Sequence, residues 1–340
     1  EIAPVVEALE RWKVEKAAEC GDGELPGALP VDRLGDFRLL HEIGRGGNAI
    51  VYEAARGTSR ERVAVKVFPR RAPHDSPARR RFLEEAATMS RLRHQHIVPV
   101  TAVAEDAGFP YYVMRLAEGG SLDRVIGRLR RGGAAPQESV GFGGRFALGR
   151  DDWRAFAGIG VQIARAIAFG HACGVLHGDI KPANVLLDAD GQVMVADFGP
   201  PPRPEPGGRG RITGTYRYMA PERYDGVCDE RSDVYALGAT LYELVALMPA
   251  FDAEGQDSLV RSILRHELVP PRLVRPDVPP DLDAVIVKAM SRDPAARYAS
   301  AGELTADLLN FLRGRPIAAQ ASEGLAARWR RFVRRRRSRE

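Results

Sequence analysis

The chain has 340 residues, of which 44% are hydrophobic and 28% are charged, so it is long enough to bury one or two sizeable cores. Its formal net charge of +5 comes from one end, because residues 328–340 hold eight arginines and one glutamate. The rest of the chain is slightly acidic, so the basic pI is no argument that the folded body binds nucleic acid.

Cysteine usage and hydropathy indicate a cytoplasmic protein. The three cysteines lie far apart, which argues against a disulfide framework and a paired-cysteine zinc site. The chain starts without a signal-peptide pattern, and no apolar run is long enough to be a clear membrane span. The most apolar stretch, residues 234–251, contains Glu243 and is interpreted as a buried core helix.

In chain order, residues 5–18 are predicted to form an amphipathic helix, and residues 21–35 a linker rich in glycine and proline. Strand-like runs rich in β-branched and aromatic residues then predict an antiparallel meander. These runs are FRLLHEIG (37–44), AIVYEAAR (49–56), RVAVKVF (62–68), IVPVTAVAED (97–106) and PYYVMRLA (110–117). A helix over residues 78–93 interrupts them, with Phe82, Met89 and Leu92 near one face.

After Gly119 the pattern becomes helical, apart from a loop at residues 130–150 that is rich in glycine and arginine. The predicted helices cover residues 121–131, 151–174, 234–247, 258–264, 282–290 and 301–313. The sequence therefore predicts an α+β fold with two lobes, a small β-rich lobe and a larger, mainly helical one. The two are joined near residues 116–120.

The first chemical signal is a glycine-rich turn between two predicted strands, with Gly44, Gly46 and Gly47. Glycines allow the backbone N–H groups to approach phosphate oxygens closely. An ordinary hairpin turn is the alternative. A dinucleotide-binding turn would lead into a helix, whereas a strand follows here. A P-loop is excluded because the lysine and the serine or threonine that it requires do not follow the glycines.

Lys66 lies inside an apolar predicted strand, where a lysine is costly to bury unless it is paired. Glu85, on the following helix, is its candidate partner. Such a pair would hold a cation beside a phosphate site. The alternative is a lysine on the solvent face of an edge strand.

The second signal is a set of polar residues between apolar strands, in VLHGDIKPANVLLD (175–188) and VMVADFGP (193–200). Asp179, Lys181, Asn184 and Asp197 supply two carboxylates, an amide and an amine. Oxygen donors of this kind suit Mg²⁺ with phosphate better than zinc. A hydrolase could use Asp179 and Asp197 as an acid/base pair, but that leaves the lysine, the amide and the glycine-rich turn unexplained.

Taken in order, these motifs resemble those of the protein kinase family, over about residues 37–313. They are GRGGNAIV (44–51), VAVK (63–66), HGDIKPAN (177–184), DFG (197–199), MAPE (219–222), SDVYALGATLYELV (232–245) and DPAARY (293–298). The catalytic-loop pattern and GTYRYMAPE (214–222) are similar to the serine/threonine branch, and the basic end is similar to membrane-linked bacterial members. The resemblance implies an ATP-dependent protein serine/threonine kinase that uses Mg²⁺ or Mn²⁺.

The resemblance assigns an ATP-binding role to a first group of residues. Glycines of the loop would cover the phosphates, Met114 would be the gatekeeper, and the residues after it would form the hinge that contacts adenine. The group consists of Ile43, Gly44, Gly46, Gly47, Val51, Ala64, Lys66, Met114, Arg115, Ala117 and Leu186.

A second group would perform or support phosphate transfer. Lys66 paired with Glu85 would hold phosphates, Asn184 and Asp197 would bind metal, Asp179 would accept the substrate hydroxyl's proton, and Lys181 would contact the transferred phosphate. The supporting residues implied by the resemblance are Thr215 near the catalytic loop, Asp233 behind that loop, and an ion pair of Glu222 with Arg297.

The chain departs from the family pattern at several places. Ala49 replaces the third glycine of the loop, Arg115 stands where an acidic residue is common, and Pro200, Pro201 and Pro202 directly follow the DFG. These departures motivate an alternative function, a pseudokinase-like nucleotide-binding module with little turnover.

Gly178 stands where the family usually has an arginine that pairs with a phosphorylated activation loop. The loop itself offers few hydroxyls, Thr213 and Thr215, before the MAPE motif. Both observations predict a kinase that loop phosphorylation does not control.

The predicted organisation is a helix and linker at 1–35, a kinase domain at 36–313 (lobes 36–116 and 117–313) and a basic tail at 314–340. Arginines with Trp329 and Phe332 in the tail favour an anionic membrane surface as its partner, on the cytoplasmic side. A solvated end and a nucleic-acid patch are the alternatives for the tail. ATP and protein substrates are the expected partners of the domain.

Overall fold

The computed structural model describes residues 29, 31–46, 49–57, 59, 61–69, 76–132, 148–199 and 214–319. Several predictions therefore lie outside the described residues. They are the helix at 5–18, most of the linker at 21–35, Gly47, the middle of the loop at 130–150, the three prolines at 200–202, Thr213 and the tail after residue 319.

A six-stranded antiparallel sheet forms the first lobe. Its strands are β1 (Arg33–Leu34), β2 (Phe37–Arg45), β3 (Ile50–Arg56), β4 (Glu61–Val67), β5 (Val100–Asp106) and β6 (Phe109–Arg115). They lie in the order β1-β2-β3-β4-β6-β5. The sheet thus begins at Arg33, before residue 36, where the sequence predicted the start of the domain.

Both faces of the sheet carry buried side chains, and the alternating side chains of β6 contribute to both faces. Tyr111 and Val113 belong to a core within the small lobe, whereas Tyr112 and Met114 belong to the larger core that continues into the helical lobe. Because successive strand residues point to opposite faces, one strand supplies both cores. The side chains on the second face are those that approach the candidate site.

Helix α1 (Pro77–Arg91) packs on that second face of the sheet. Ser76 caps its first turn by accepting a hydrogen bond from the Arg79 N–H, and a proline follows at the first helical position, where no N–H is needed. Phe82, Ala86 and Met89 are buried at helical spacing. This face fixes the rotation of the helix and directs Glu85 toward the sheet.

The helical lobe confirms the predicted helices, with boundaries shifted by a few residues. Its helices are α2 (Leu122–Arg130), α3 (Trp153–Ala172), α4 (Glu230–Ala246), α5 (Gln256–Leu264), α6 (Pro271–Val274), α7 (Pro280–Ala289) and α8 (Ala301–Leu312). A three-stranded antiparallel sheet, β7 (Gly120–Ser121), β8 (Val185–Leu187) and β9 (Val193–Val195), lies beside them. The α+β fold with two lobes is therefore confirmed.

Helix α4 is the centre of this lobe, and nearly all its residues are buried. It begins in a capping box, in which Asp229 and Ser232 satisfy each other's backbone N–H groups. It ends earlier than the apolar stretch 234–251 suggested, because Leu247 adopts a left-handed conformation with φ +57°.

Helix α3 is the single described helix that is long and apolar enough to cross a membrane by length and composition. In the structure 56% of its apolar window is buried inside the protein. Its glycines explain part of this packing. At Gly170, for example, a Cβ would lie 2.7 Å from the ring of Phe198.

Backbone hydrogen bonds join the two lobes behind the site. The Val195 N–H donates to the carbonyl of His96 at 2.9 Å, and the Val98 N–H donates to the carbonyl of Val195 at 3.0 Å. The His96 ring also contacts the carbonyl of Val193. The segment between α1 and β5 is thus fastened to β9 of the helical lobe.

A buried ion pair fastens the segment after residue 214 to the segment between α7 and α8. The two guanidinium nitrogens of Arg297 lie 2.7 Å from the two carboxylate oxygens of Glu222, and Ser232 donates a further hydrogen bond to that carboxylate. Arg297 also stacks over the Tyr235 ring. Burial raises the pKa of Glu222, but the hydrogen bonds and charge of Arg297 outweigh it and lower that pKa.

We expect Glu222→Gln to lower the free energy of unfolding by about 3–5 kcal/mol at pH 7, because it leaves a buried guanidinium without its counter-charge. Since the pKa of Glu222 is lowered in the fold, its contribution is present above its ordinary value of 4.5 and is lost as pH falls through the folded value. The deficit should therefore shrink in acid.

Urea unfolding at several pH values measures this effect. Glu254→Gln, which makes the same change at an exposed position, is the matched control and should change stability by less than about 0.5 kcal/mol. Equal stability of Glu222→Gln and wild type at pH 7 would contradict the prediction.

Candidate active site

The centre of the site is Lys66 on β4, which is only 8% exposed. Its Nζ lies 2.7 Å from Glu85 Oε1 on α1 and 2.7 Å from Asp197 Oδ1, which follows β9. One ammonium group therefore contacts carboxylates from the small lobe and from the helical lobe. This arrangement excludes the alternative of a solvated lysine on an edge strand.

Electrostatic interactions favour the charged forms of Lys66 and Asp197. Burial by itself would lower the pKa of Lys66, but the nearby carboxylates of Asp197 and Glu85 raise it well above its ordinary value. Burial likewise raises the pKa of Asp197, and the Lys66 ammonium outweighs this and lowers it. The pair of Lys66 and Asp197 is thus a preformed contact of opposite charges.

Asp197 is held in a strained backbone conformation, with φ +62°. A non-glycine residue in the left-handed region costs about 1 kcal/mol or more and persists only where its surroundings enforce it. The enforcing contacts are those of Phe198, whose N–H donates to Met89 Sδ and whose fully buried ring packs 4.6 Å from that of His177. In this backbone conformation the Asp197 carboxylate contacts Lys66.

Tyr112 also belongs to this cluster, although no sequence pattern pointed to it. Its hydroxyl donates a hydrogen bond to Glu85 Oε1 at 2.5 Å, and its ring lies 5.6 Å from Lys66 Nζ. A tyrosine in an apolar strand is indistinguishable from a core residue until the strand register is known.

Asp179, Lys181 and Asn184 form a second polar group, on the segment between α3 and β8. Lys181 Nζ lies 2.6 Å from Asp179 Oδ2. The amide nitrogen of Asn184 donates to the Asp179 carbonyl at 2.8 Å and to Asp179 Oδ2 at 3.2 Å. The loop is therefore closed on itself, with its carboxylate in a defined position.

These donors fit a hard divalent cation better than zinc. With its amide nitrogen engaged by Asp179, Asn184 keeps its carbonyl oxygen as a ligand, and Asp197 supplies a carboxylate. Across the described residues, no group of three or more His, Cys, Asp or Glu side chains is arranged to hold a metal ion. One carboxylate and one amide oxygen suit Mg²⁺ that shares its shell with phosphate oxygens.

Asp233, at the start of α4, supports this loop from behind and is almost fully buried. It accepts hydrogen bonds at 2.8 Å from the backbone N–H groups of His177 and Gly178 and from the His171 ring. Burial raises the pKa of Asp233, but these hydrogen bonds and the nearby imidazoles lower it.

Gly178 has φ +70°, a left-handed conformation that glycine adopts without a steric cost. Its carbonyl accepts a hydrogen bond from the guanidinium of Arg223, a buried residue just after the MAPE motif. No sequence pattern pointed to Arg223, since an arginine beside Glu222 has no motif of its own. Position 178, where the family usually has an arginine, is thus contacted by the arginine side chain of Arg223 from another segment.

The residues expected to bind ATP lie on or beside β2, β3, β4, β6 and β8. Gly46 and Ala49 close the turn through a backbone hydrogen bond of 2.9 Å, so Ala49 is compatible with a tight loop. The structure places the following expected residues here: Ile43, Gly44, Gly46, Val51, Ala64, Met114, Arg115, Ala117 and Leu186. Gly47 and the side chain of Thr215 lie outside what the structure describes.

Two arginines make contacts beside these residues. Arg115, which is 58% exposed at its side chain, forms a loose ion pair of 3.6 Å with Asp188. Arg124 on α2 donates a hydrogen bond to the Ile43 carbonyl at 2.8 Å, so it links the helical lobe to the glycine-rich turn.

Comparison with known proteins agrees with this geometry. The model of the protein kinase domain matches residues 37–308. The chain is 32% identical over 303 residues to the probable serine/threonine-protein kinase SCO3848 of Streptomyces coelicolor, which covers 86% of this chain and 42% of that protein.

Two mycobacterial proteins are also similar. The serine/threonine-protein kinase PknH of Mycobacterium tuberculosis is 35% identical over 277 residues, covering 80% of this chain and 41% of that protein. The serine/threonine-protein kinase PknD of the same organism is 36% identical over 279 residues, covering 80% and 39%. The chain therefore spans less than half the length of the curated relatives it matches.

We expect Asp233→Asn to loosen the loop at residues 177–184, because an amide would turn an N–H donor toward donors that now face a carboxylate. Hydrogen exchange of the His177 and Gly178 amides should accelerate by about tenfold or more, which corresponds to the loss of roughly 1.4 kcal/mol. Mass spectrometry of peptides from this loop measures the effect.

Asp229→Asn is the matched control, since asparagine caps a helix about as well as aspartate does. It should leave exchange in the loop unchanged. Unchanged exchange in Asp233→Asn as well would show that Asp233 does not hold the loop.

Proposed function

The chain belongs to the protein kinase family, and we propose that it is an ATP-dependent protein serine/threonine kinase that uses Mg²⁺ or Mn²⁺. The observation that carries this proposal is the joint placement of two groups. Lys66 contacts both Glu85 and Asp197, and Asp179 is held beside Lys181 in the neighbouring loop. A binding module without turnover would have no need of the second group.

Lys66 and Glu85 would act on the nucleotide. A charged lysine held by a carboxylate offers a fixed positive charge to the phosphates, and a preorganised charge costs no reorganisation when the reaction occurs. Asn184 and Asp197 would hold the metal ion, which neutralises phosphate charge. The glycine-rich turn would bring backbone N–H groups to the phosphates.

Asp179 would act on the acceptor. The hydroxyl oxygen of a serine or threonine attacks the γ-phosphorus, the bond from that phosphorus to the bridging oxygen of ADP breaks, and the hydroxyl proton passes to Asp179. Lys181, 2.6 Å from Asp179, would balance the charge on the moving phosphate. Thr215 is proposed to support this pair and to favour hydroxyl acceptors.

We further propose that activation-loop phosphorylation does not control this kinase. Gly178 lacks the arginine side chain that would read a loop phosphate, and the Arg223 guanidinium contacts its carbonyl instead. Asp233 holds the N–H groups of the same loop. Both contacts come from fixed parts of the helical lobe, which supports a catalytic loop that is ordered without modification.

The action of the domain on other proteins and its location in the cell are also proposals. The relatives are bacterial serine/threonine-protein kinases more than twice as long as the matched part of this chain. The arginine-rich residues 328–340 support a location at the cytoplasmic face of a membrane, because clustered arginines with aromatic residues bind anionic lipid surfaces.

We expect the full chain to transfer labelled phosphate from ATP with Mg²⁺ or Mn²⁺ to itself or to a basic acceptor protein. Asp179→Asn should reduce this rate by about 10²-fold or more, because it removes the group that orients the hydroxyl and takes its proton. Asp190→Asn, the same change at an exposed turn after β8, is the matched control and should retain full activity.

Acid hydrolysis of the labelled product should yield phosphoserine or phosphothreonine. If wild type and Asp179→Asn are equally silent over several acceptors and both metals, while nucleotide still raises the melting temperature, the pseudokinase-like alternative is correct. A product labelled on tyrosine alone would contradict the serine/threonine assignment.

The regulatory proposal has its own test. Dephosphorylation of the purified protein, verified by intact-mass measurement, should leave its initial rate unchanged, because no arginine at position 178 is available to read a loop phosphate. Thr213→Ala should behave like wild type for the same reason. A large loss of activity in either experiment would show that a phosphorylated residue is needed.

A further inference from the structure

Tyr112 lies directly opposite Lys66 in the sheet, in the register that pairs β4 with β6. Residues opposite each other on antiparallel strands project to the same face. Tyr112 is fully buried, so its hydroxyl needs a partner within the protein. That partner is Glu85 Oε1, the same oxygen that contacts Lys66 Nζ.

The geometry makes Tyr112 more than a packing residue. Its ring packs 5.3 Å from Phe82, which lies one helical turn before Glu85 on α1. The ring and the hydroxyl of Tyr112 therefore contact α1 at two points, Phe82 and Glu85. These contacts restrict both the rotation of the helix and the position of the Glu85 carboxylate. Burial and the nearby carboxylates keep the hydroxyl protonated and able to donate.

Two further contacts hold α1 at its ends. The buried guanidinium of Arg79, in the first turn, lies 2.6 Å from Glu105 on edge strand β5. Near the last turn, Met89 Sδ accepts the hydrogen bond from the Phe198 N–H. Tyr112 supplies the contact in the middle, at the residue that meets Lys66.

We propose that Tyr112 is a positioning residue for phosphate transfer, and that its hydroxyl orients Glu85 so that Lys66 stays aligned when Asp197 turns to other ligands. This inference rests on the proposed kinase function. Lys66 now has two carboxylate partners, and a metal ion bound at Asp197 would compete for one of them. Glu85 is then the partner that must hold Lys66, and Tyr112 fixes Glu85.

The expected kinetic result is a loss in kcat rather than in nucleotide affinity. Negative charge grows on the leaving ADP in the transition state, so a misaligned Lys66 weakens the transition state more than the ground state. A hydrogen bond to a charged group is worth enough for Tyr112→Phe to lower kcat by about tenfold. The KM for ATP should change much less.

Tyr111→Phe is a matched control, because it removes a hydroxyl from the adjacent residue on the opposite face of the same strand. It should leave kcat unchanged. Glu85→Gln completes a double-mutant cycle. If the tyrosine acts through Glu85, adding Tyr112→Phe to Glu85→Gln should cause little further loss.

A second measurement needs no turnover. Hydrogen exchange of peptides within residues 77–91 of the nucleotide-free protein should be faster in Tyr112→Phe than in wild type, and unchanged in Tyr111→Phe. Wild-type kcat in Tyr112→Phe with wild-type exchange, or additive losses in the cycle, would overturn the inference. A wild type that transfers no phosphate would contradict the proposed function, and the exchange comparison would still decide the role of Tyr112.

Discussion

The rest of the site depends on the burial of one positive charge. An ammonium group on the inner face of a sheet is costly unless counter-charges reach it, and Lys66 draws them from α1 and from the segment after β9. The helix must therefore present Glu85 at one rotation, and Asp197 must adopt its left-handed backbone. A single electrostatic requirement thus sets the position of a helix, the strain at one residue and the distance between the two lobes.

The helical lobe solves a similar problem with a negative charge. Asp233 is buried at the start of α4 and accepts three hydrogen bonds, two of them from backbone N–H groups in the loop at residues 177–184. Because nearly all residues of α4 are buried, these hydrogen bonds attach the loop to an element of the core. Glu222 is a second carboxylate of this lobe that is satisfied by partners from other segments. Its bidentate ion pair with Arg297 joins segments distant in sequence.

Much of the fold was predictable because it depends on local sequence patterns. The spacing of Phe82 and Met89 predicted α1, and apolar alternation predicted five of the strands of the first sheet. Spaced polar motifs predicted which residues gather at the cleft. Their roles in binding and transfer stay proposals.

What could not be predicted depends on register and on distant contacts. Strand β1 is two residues long and too short for alternation to show. The role of Tyr112 follows from the pairing of β6 with β4, and that of Arg223 from a contact across 45 residues of sequence. Ser121 stands directly before α2, but its side chain makes no capping hydrogen bond.

Arg115, at the end of β6, has a consequence for inhibitor chemistry. Where an acidic side chain is common in the family, Arg115 presents an exposed cation whose contact with Asp188 is loose. An adenine-like scaffold that extends a carboxylate past this edge would gain a partner here and meet repulsion in proteins with the acid. The most useful position for selectivity thus lies beside the proposed nucleotide site, outside the residues proposed to perform the chemistry.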